Sequence, residues 1–394
     1  MARHPQRADA FFVVYGHCTW SKTGINVVYA FHMPAFFIIS GMASACGRPQ
    51  EPGVFLRRKV CGLLLPYFFL NLYAAPLRKW LEYLGENNAQ NTWDLLRGVL
   101  ISNADSGWKM ASNTTWFLPC LFLTCVIFYF LRRLSRSEGM LILMTAAVTA
   151  AAAVLGVTHG GGGIWHWKPA VMALPFYLAG YLFIRHLPQI EAAFRGRRAA
   201  LAAAAAAALL LAGYFCGQAN GFVSMIRNQY HNLFLYYASA LATSFAITLL
   251  VMAASRSEAF RRAMKPAERI GRRTLPYIAV HVPIMKLIKY YFGIYEGCSE
   301  WIIVLLSVSL YFGLLPLADL LQKVIPTSLP SLPSRQQLAA RAGTATDAAS
   351  LRPQAVCPVL LRPPGPGSPC NLHAGHYNKR NGVKAAADRD AAGG

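Results

Sequence analysis

The chain has 394 residues, of which 55% are hydrophobic and 14% charged, with a mean hydropathy of +0.35 and a formal charge of +22. Soluble domains carry about 25% charged residues, so the composition excludes an ordinary soluble fold and marks a membrane protein. The basic residues cluster between apolar runs instead of lining a polar face, which excludes a nucleic-acid-binding surface.

A bilayer crossing needs about 20 mostly apolar residues. In chain order, about ten segments are candidates: roughly 10–21, 25–45, 60–77, 116–131, 140–157, 164–185, 199–216, 232–254, 275–293 and 301–323. The predicted class is an all-α, polytopic membrane protein with about ten transmembrane helices. The first segment is short, about 16 Å of helix from Ala10 to Trp20; either the first helix lies partly in the interface or, as the favoured expectation, the reading frame begins upstream of Met1.

Loop charge sets the orientation. With the N-terminus inside, the internal loops carry Arg48, Arg57, Arg58 and Lys59, then Arg132, Arg133 and Arg136, then Arg185, Arg195, Arg197 and Arg198. A further internal run extends from Arg256 to Arg273. The external loops carry Lys22, Arg78, Lys79, Arg97, Lys109 and Arg227. The internal excess, roughly threefold, predicts an N-in/C-in topology and an even number of spans. Residues 78–115 form the longest external connection, with Trp80, Trp93 and Trp108 as interfacial anchors or a cap over a cavity. From Pro326 onward the chain is rich in Pro, Ala, Gly and Arg and lacks apolar periodicity, so 326–394 reads as a disordered cytoplasmic tail after a membrane domain at 1–325.

Ionisable residues inside apolar runs are costly and point to function. His17 follows Gly16 in the first segment, about 15 Å along a helix from Arg7. A neutral imidazole there accepts a proton from a hydroxyl, or it serves as a structural group bonded to a neighbouring carbonyl. His32 lies in Phe31-His32-Met33-Pro34-Ala35-Phe36-Phe37-Ile38-Ile39-Ser40-Gly41 on the next segment, at similar depth. It orients a substrate or steers His17, or it glues helices together. Pro34 is expected to kink this helix, and Ser40-Gly41 to allow close packing. His281 also precedes a proline, Pro283, with the same two readings. Arg57-Arg58-Lys59 opens the third segment, either as a phosphate contact for a cytosolic cofactor or as a topology anchor. The nine cysteines include no CxxC pair, so neither a metal site nor a disulfide framework is expected. Mid-membrane carboxylates are nearly absent, which weighs against a proton-coupled transporter.

Val13-Val14-Tyr15-Gly16-His17 and the Phe31–Gly41 stretch resemble the opening of the integral-membrane acyltransferase 3 family, in particular its fucose 4-O-acetylase-like acetyltransferase branch. Leu63-Leu64-Leu65-Pro66-Tyr67, Trp116-Phe117-Leu118-Pro119, Leu174-Pro175-Phe176-Tyr177-Leu178-Ala179-Gly180-Tyr181 and Ile270–His281 resemble later blocks in the same order. The resemblance implies ten helices in the inner (plasma) membrane. It also implies transfer of an acetyl or other acyl group from cytosolic acyl-CoA to a hydroxyl of a cell-surface carbohydrate, without a metal. His17 takes the place of the essential first-helix histidine and His32 assists it, while Arg57, Arg58 and Arg272 would contact the acyl-CoA. Two positions depart from the family pattern. Gln6 stands where a basic residue is usual, with Arg7 one step off, and Cys61 and Gly62 occupy the turn where a second arginine is frequent. The competing reading is a non-catalytic membrane protein, such as a lipid-linked sugar or small-molecule transporter.

Overall fold

Long apolar runs can satisfy their backbone inside a bilayer only as helices or closed barrels. The structure, a computed structural model, describes residues 5–19, 21–85, 90–102, 110–193, 198–263, 274–293 and 298–324. Among these residues helix dominates, and the extended pairing is one isolated antiparallel bridge, Ser224 with Gln229. The helices are α1 Pro5–Cys18, α2 Lys22–Ala45, α3 Pro52–Lys59, α4 Leu65–Tyr83, α5 Thr92–Ile101, α6 Phe117–Leu134, α7 Glu138–Val154 and α8 Trp167–Met172. They continue as α9 Leu174–Arg185, α10 Leu187–Ala193, α11 Arg198–Asn220, α12 Leu233–Ala254 and α13 Glu258–Ala263. The last three are α14 Thr274–Phe292, α15 Glu300–Gly313 and α16 Leu315–Val324.

Several starts are written locally. The Ser21 hydroxyl accepts from the Gly24 N–H, Ser137 from Met140 and Asn232 from Leu235, each closing an otherwise orphaned N–H of a first turn. Among the described residues six helical stretches are long and apolar enough to cross a membrane, and a seventh is added if the bent pair Ile164–Met172 and Leu174–Arg185 counts as one span. Helix α7 is apolar but shorter. The tail from 326 and Arg272 lie outside the described residues.

Three segments differ from the sequence reading. The third is a 32-residue stretch, Pro52–Tyr83, with a π-helical turn at Val60–Leu64. It runs past Arg78 and Lys79, which therefore belong to α4 and not to a loop. Arg78 is 5% exposed and tolerates that burial because its guanidinium donates to Glu82, to the Met110 carbonyl and to the Gln90 side chain. The sixth segment bends by 55° between α8 and α9. Pro175 lies in the first turn of α9, where its missing N–H is harmless, but its ring opposes continuation of the preceding helix. The tenth is divided at Leu314, just before Pro316, into α15 and α16.

Helix α2 is central and packs on α1, α9, α11 and α12. Its crossing with α9 is made by Gly41 and Gly180. A Cβ on Gly41 would lie 1.9 Å from the Tyr177 carbonyl oxygen, and one on Gly180 would lie 1.8 Å from the Ile38 carbonyl oxygen. Backbone meets backbone here, as small residues permit in membrane helices. Helix α1 sits between two apolar cores. Val13 joins the large one, with Phe37, Tyr67, Phe128 and Tyr177. Val14 and Cys18 join a smaller one, with Tyr277, Leu310 and Tyr311 from α14 and α15.

Candidate active site

His17 is the penultimate residue of α1, facing α2 and α14. Gly16 allows the approach, since a Cβ there would come within 2.9 Å of a Val28 methyl group. The Cys18 thiol meets the Met285 sulfur at 3.2 Å and ties the same turn to α14. Three histidines and a tyrosine collect around this contact. The His17 ring centre lies 5.2 Å from that of His281 and 6.1 Å from that of Tyr29. Tyr29 lies in turn 5.0 Å from His32, against whose ring it packs edge-on. The Tyr29 hydroxyl is 3.5 Å from His17 Nδ1, at the outer limit of a hydrogen bond. Phe222, from the link between α11 and α12, closes on Tyr29 at 5.1 Å.

His32 and His281 are held the same way. Each stands two residues before a proline, in His32-Met33-Pro34 and His281-Val282-Pro283. His32 Nδ1 lies 2.6 Å from the Val28 carbonyl, and His281 Nδ1 lies 3.3 Å from the Tyr277 carbonyl, in both cases one turn earlier. A carbonyl only accepts, so these contacts put the proton on Nδ1 and leave Nε2 as the acceptor of the neutral ring. His32 is 5% exposed and His281 is fully buried, whereas His17 is half-buried. The arrangement supplies imidazole proton acceptors and donors, with the Tyr29 phenol between His17 and His32.

Of the sequence-predicted residues, His17 and His32 come together through Tyr29. His281, which the sequence left open between a functional and a helix-packing role, stands against His17, and Tyr29 drew no notice in the sequence. The repeated His-x-Pro pattern was a legible signal for His281, but Tyr29 carries none. Arg57 and Arg58 are exposed on α3, a different element from those that hold the histidines. Helix α3 docks on α6 by stacking Phe55 on Tyr129 with ring centres 4.2 Å apart. Lys59 lies over Phe55, and Arg133 donates to the Tyr129 hydroxyl at 3.0 Å. Lys59 and Arg133 thus flank this stack. Arg272 lies outside the described residues. Among the described residues, no group of three or more His, Cys, Asp or Glu is placed to hold a metal ion.

A model of the acyltransferase 3 family, described as an acyltransferase domain, matches residues 10–322. Neither a curated protein nor a solved structure matches the chain.

Proposed function

The chain belongs to the acyltransferase 3 family of membrane acyltransferases, and from that premise we propose an O-acyltransferase of the inner membrane. Its donor is a cytosolic acyl-CoA, with acetyl-CoA the first choice, and its acceptor is a hydroxyl of a cell-surface carbohydrate. In this reading residues 1–325 form one membrane domain that crosses the bilayer ten times with both ends inside, in the manner of the fucose 4-O-acetylase-like branch. The observation that carries the reading is a run of ring contacts from three helices, His281 against His17, His17 against Tyr29, and Tyr29 against His32.

His17 acts as general base. With its Nδ1–H directed to the Tyr29 oxygen, Nε2 takes the proton of the acceptor hydroxyl as that oxygen attacks the thioester carbonyl. The tetrahedral intermediate then expels the CoA thiolate, which recovers the proton from the imidazolium. The products are an O-acyl ester and free CoA. The long Tyr29 contact suits this role, because catalytic hydrogen bonds are often loose before substrate binds. His32, its ring set by the Val28 carbonyl, orients the acceptor. Arg57 and Arg58 bind the donor phosphates, for which the planar guanidinium gives paired charge-assisted bonds.

Purified protein in liposomes, supplied with acetyl-CoA and an extracytoplasmic polysaccharide, is expected to release free CoA only when the acceptor is present. Passage of sugar across the bilayer with no CoA release, tested over short and long acyl chains, overturns the assignment in favour of transport. In the same assay Arg57→Ala combined with Arg58→Ala is expected to raise the KM for acyl-CoA about tenfold and leave kcat near the parent value. The difference is expected to shrink as salt rises, since exposed charges are screened. A KM that does not move removes both residues from donor binding.

A further inference from the structure

We infer that Glu300 is a positioning residue for His17. The inference rests on the acyl-transfer reading of that histidine. Glu300 is the first residue of α15, and its carboxylate reaches the end of α1 and the link to α2. The Thr19 hydroxyl donates to one carboxylate oxygen at 2.8 Å, the Ser21 N–H donates to the same oxygen at 3.1 Å, and the Tyr15 hydroxyl donates to the other at 3.1 Å. An ionised carboxylate only accepts, and all three partners donate. The charge also sits at a helix N-terminus, where the backbone dipole favours it.

The spacing gives this clamp its meaning. Tyr15 lies in α1 and Thr19 is the first residue past its end, four residues on, and the Thr19 N–H still donates to the Tyr15 carbonyl at 2.9 Å, so the two stand on one side of this turn. His17 is two residues from each, so at about 100° of rotation per residue it stands on roughly the opposite face. Holding Tyr15 and Thr19 outward against α15 therefore turns His17 inward, toward Tyr29 and His281. One residue remains in α1 after His17, and helix ends fray; the Cys18–Met285 contact ties this turn to α14, and the carboxylate ties it to α15. The other end of the connection is firm. The Tyr277 hydroxyl donates to the Tyr311 carbonyl at 2.8 Å, joining α15 to α14, the helix that carries His281. The carboxylate thus couples the helix of one imidazole to the frame that holds the other. The protein has 16 acidic residues in all, and this one lies beside the only turn that presents His17.

The test compares Glu300→Gln with the parent and with His17→Ala in the liposome assay. Glu300→Gln is expected to lower kcat about 10- to 100-fold, the effect of a catalytic group displaced by about 1 Å, with both KM values within about twofold of the parent. Adding Thr19→Val to Glu300→Gln is expected to cost little more, because the two residues share one interaction. A second readout does not depend on turnover: the rate at which diethyl pyrocarbonate labels His17, followed by mass spectrometry, is expected to change severalfold in Glu300→Gln, while His281 labelling stays as in the parent. If His17→Ala abolishes transfer while Glu300→Gln keeps the parent kcat and labelling, the positioning role is overturned and the acyl-transfer reading stands. If His17→Ala transfers normally, that reading falls, and the labelling still decides whether Glu300 sets the ring. Should Glu300→Gln fail to accumulate in the membrane, Tyr15→Phe and Thr19→Val remove its partners singly. Unchanged kcat and labelling in both then overturns the inference.

Discussion

His17→Ala is expected to reduce acyl transfer by about 10²- to 10⁴-fold, the usual contribution of a positioned general base. The loss should appear in kcat and in kcat/KM together, since the proton is taken only on the way to the transition state. Acyl-CoA binding should persist, because Arg57 and Arg58 lie on α3, a different element from the helix of His17. Folding should persist as well. His17 is half-buried, and its hydrogen bond to Tyr29 is long at 3.5 Å, so its removal leaves no strongly bonded partner stranded. Exogenous imidazole is expected to restore part of the activity, which a purely structural defect would not permit. Transfer within about threefold of the parent, per amount of inserted protein, removes His17 from the chemistry.

The second large effect concerns packing. Gly180→Val is expected to destabilise the protein by about 3 kcal/mol or more, the upper part of the usual range for overpacking. The new side chain would start 1.8 Å from the Ile38 carbonyl oxygen. That atom is backbone, so no rotamer change relieves the clash, and α2 and α9 must move apart. Helix α2 carries Tyr29 and His32, so activity is expected to fall with stability. Gly53→Ala is the control, with nothing within 4 Å of its added Cβ. Thermal unfolding of the detergent-solubilised protein measures both. A melting temperature for Gly180→Val equal to the parent's would show that the crossing has room the geometry denies.

Particular residues show how far the sequence carries. Among the described residues each apolar segment is mainly helical, because the need to satisfy backbone groups in an apolar medium is local and hydropathy records it. The Ser40-Gly41 expectation of close packing holds, but Gly180 as the partner was not evident, since a crossing point depends on how two helices are placed. The break between α8 and α9 follows from Pro175, and a proline in a long apolar run was a visible warning. Burial of Arg78 was not visible. Its partners include Met110 and Gln90, which reach it only after the chain between them has folded back.

The candidate site divides along the same line. His17 and His32 stand out in the sequence because an ionisable group in an apolar run is anomalous wherever it sits. Composition, hydropathy and single anomalous residues thus settle by themselves that this is a helical membrane protein with histidines inside its apolar segments. Tertiary structure alone decides that His281 faces His17, that Tyr29 stands between two imidazoles, and that Glu300 grips the turn beside them. Those partners lie more than 250 residues from His17 in two of the three cases, and Tyr29 is an ordinary aromatic in an apolar helix. Helix rotation and packing create such contacts, and no local pattern in the chain encodes them.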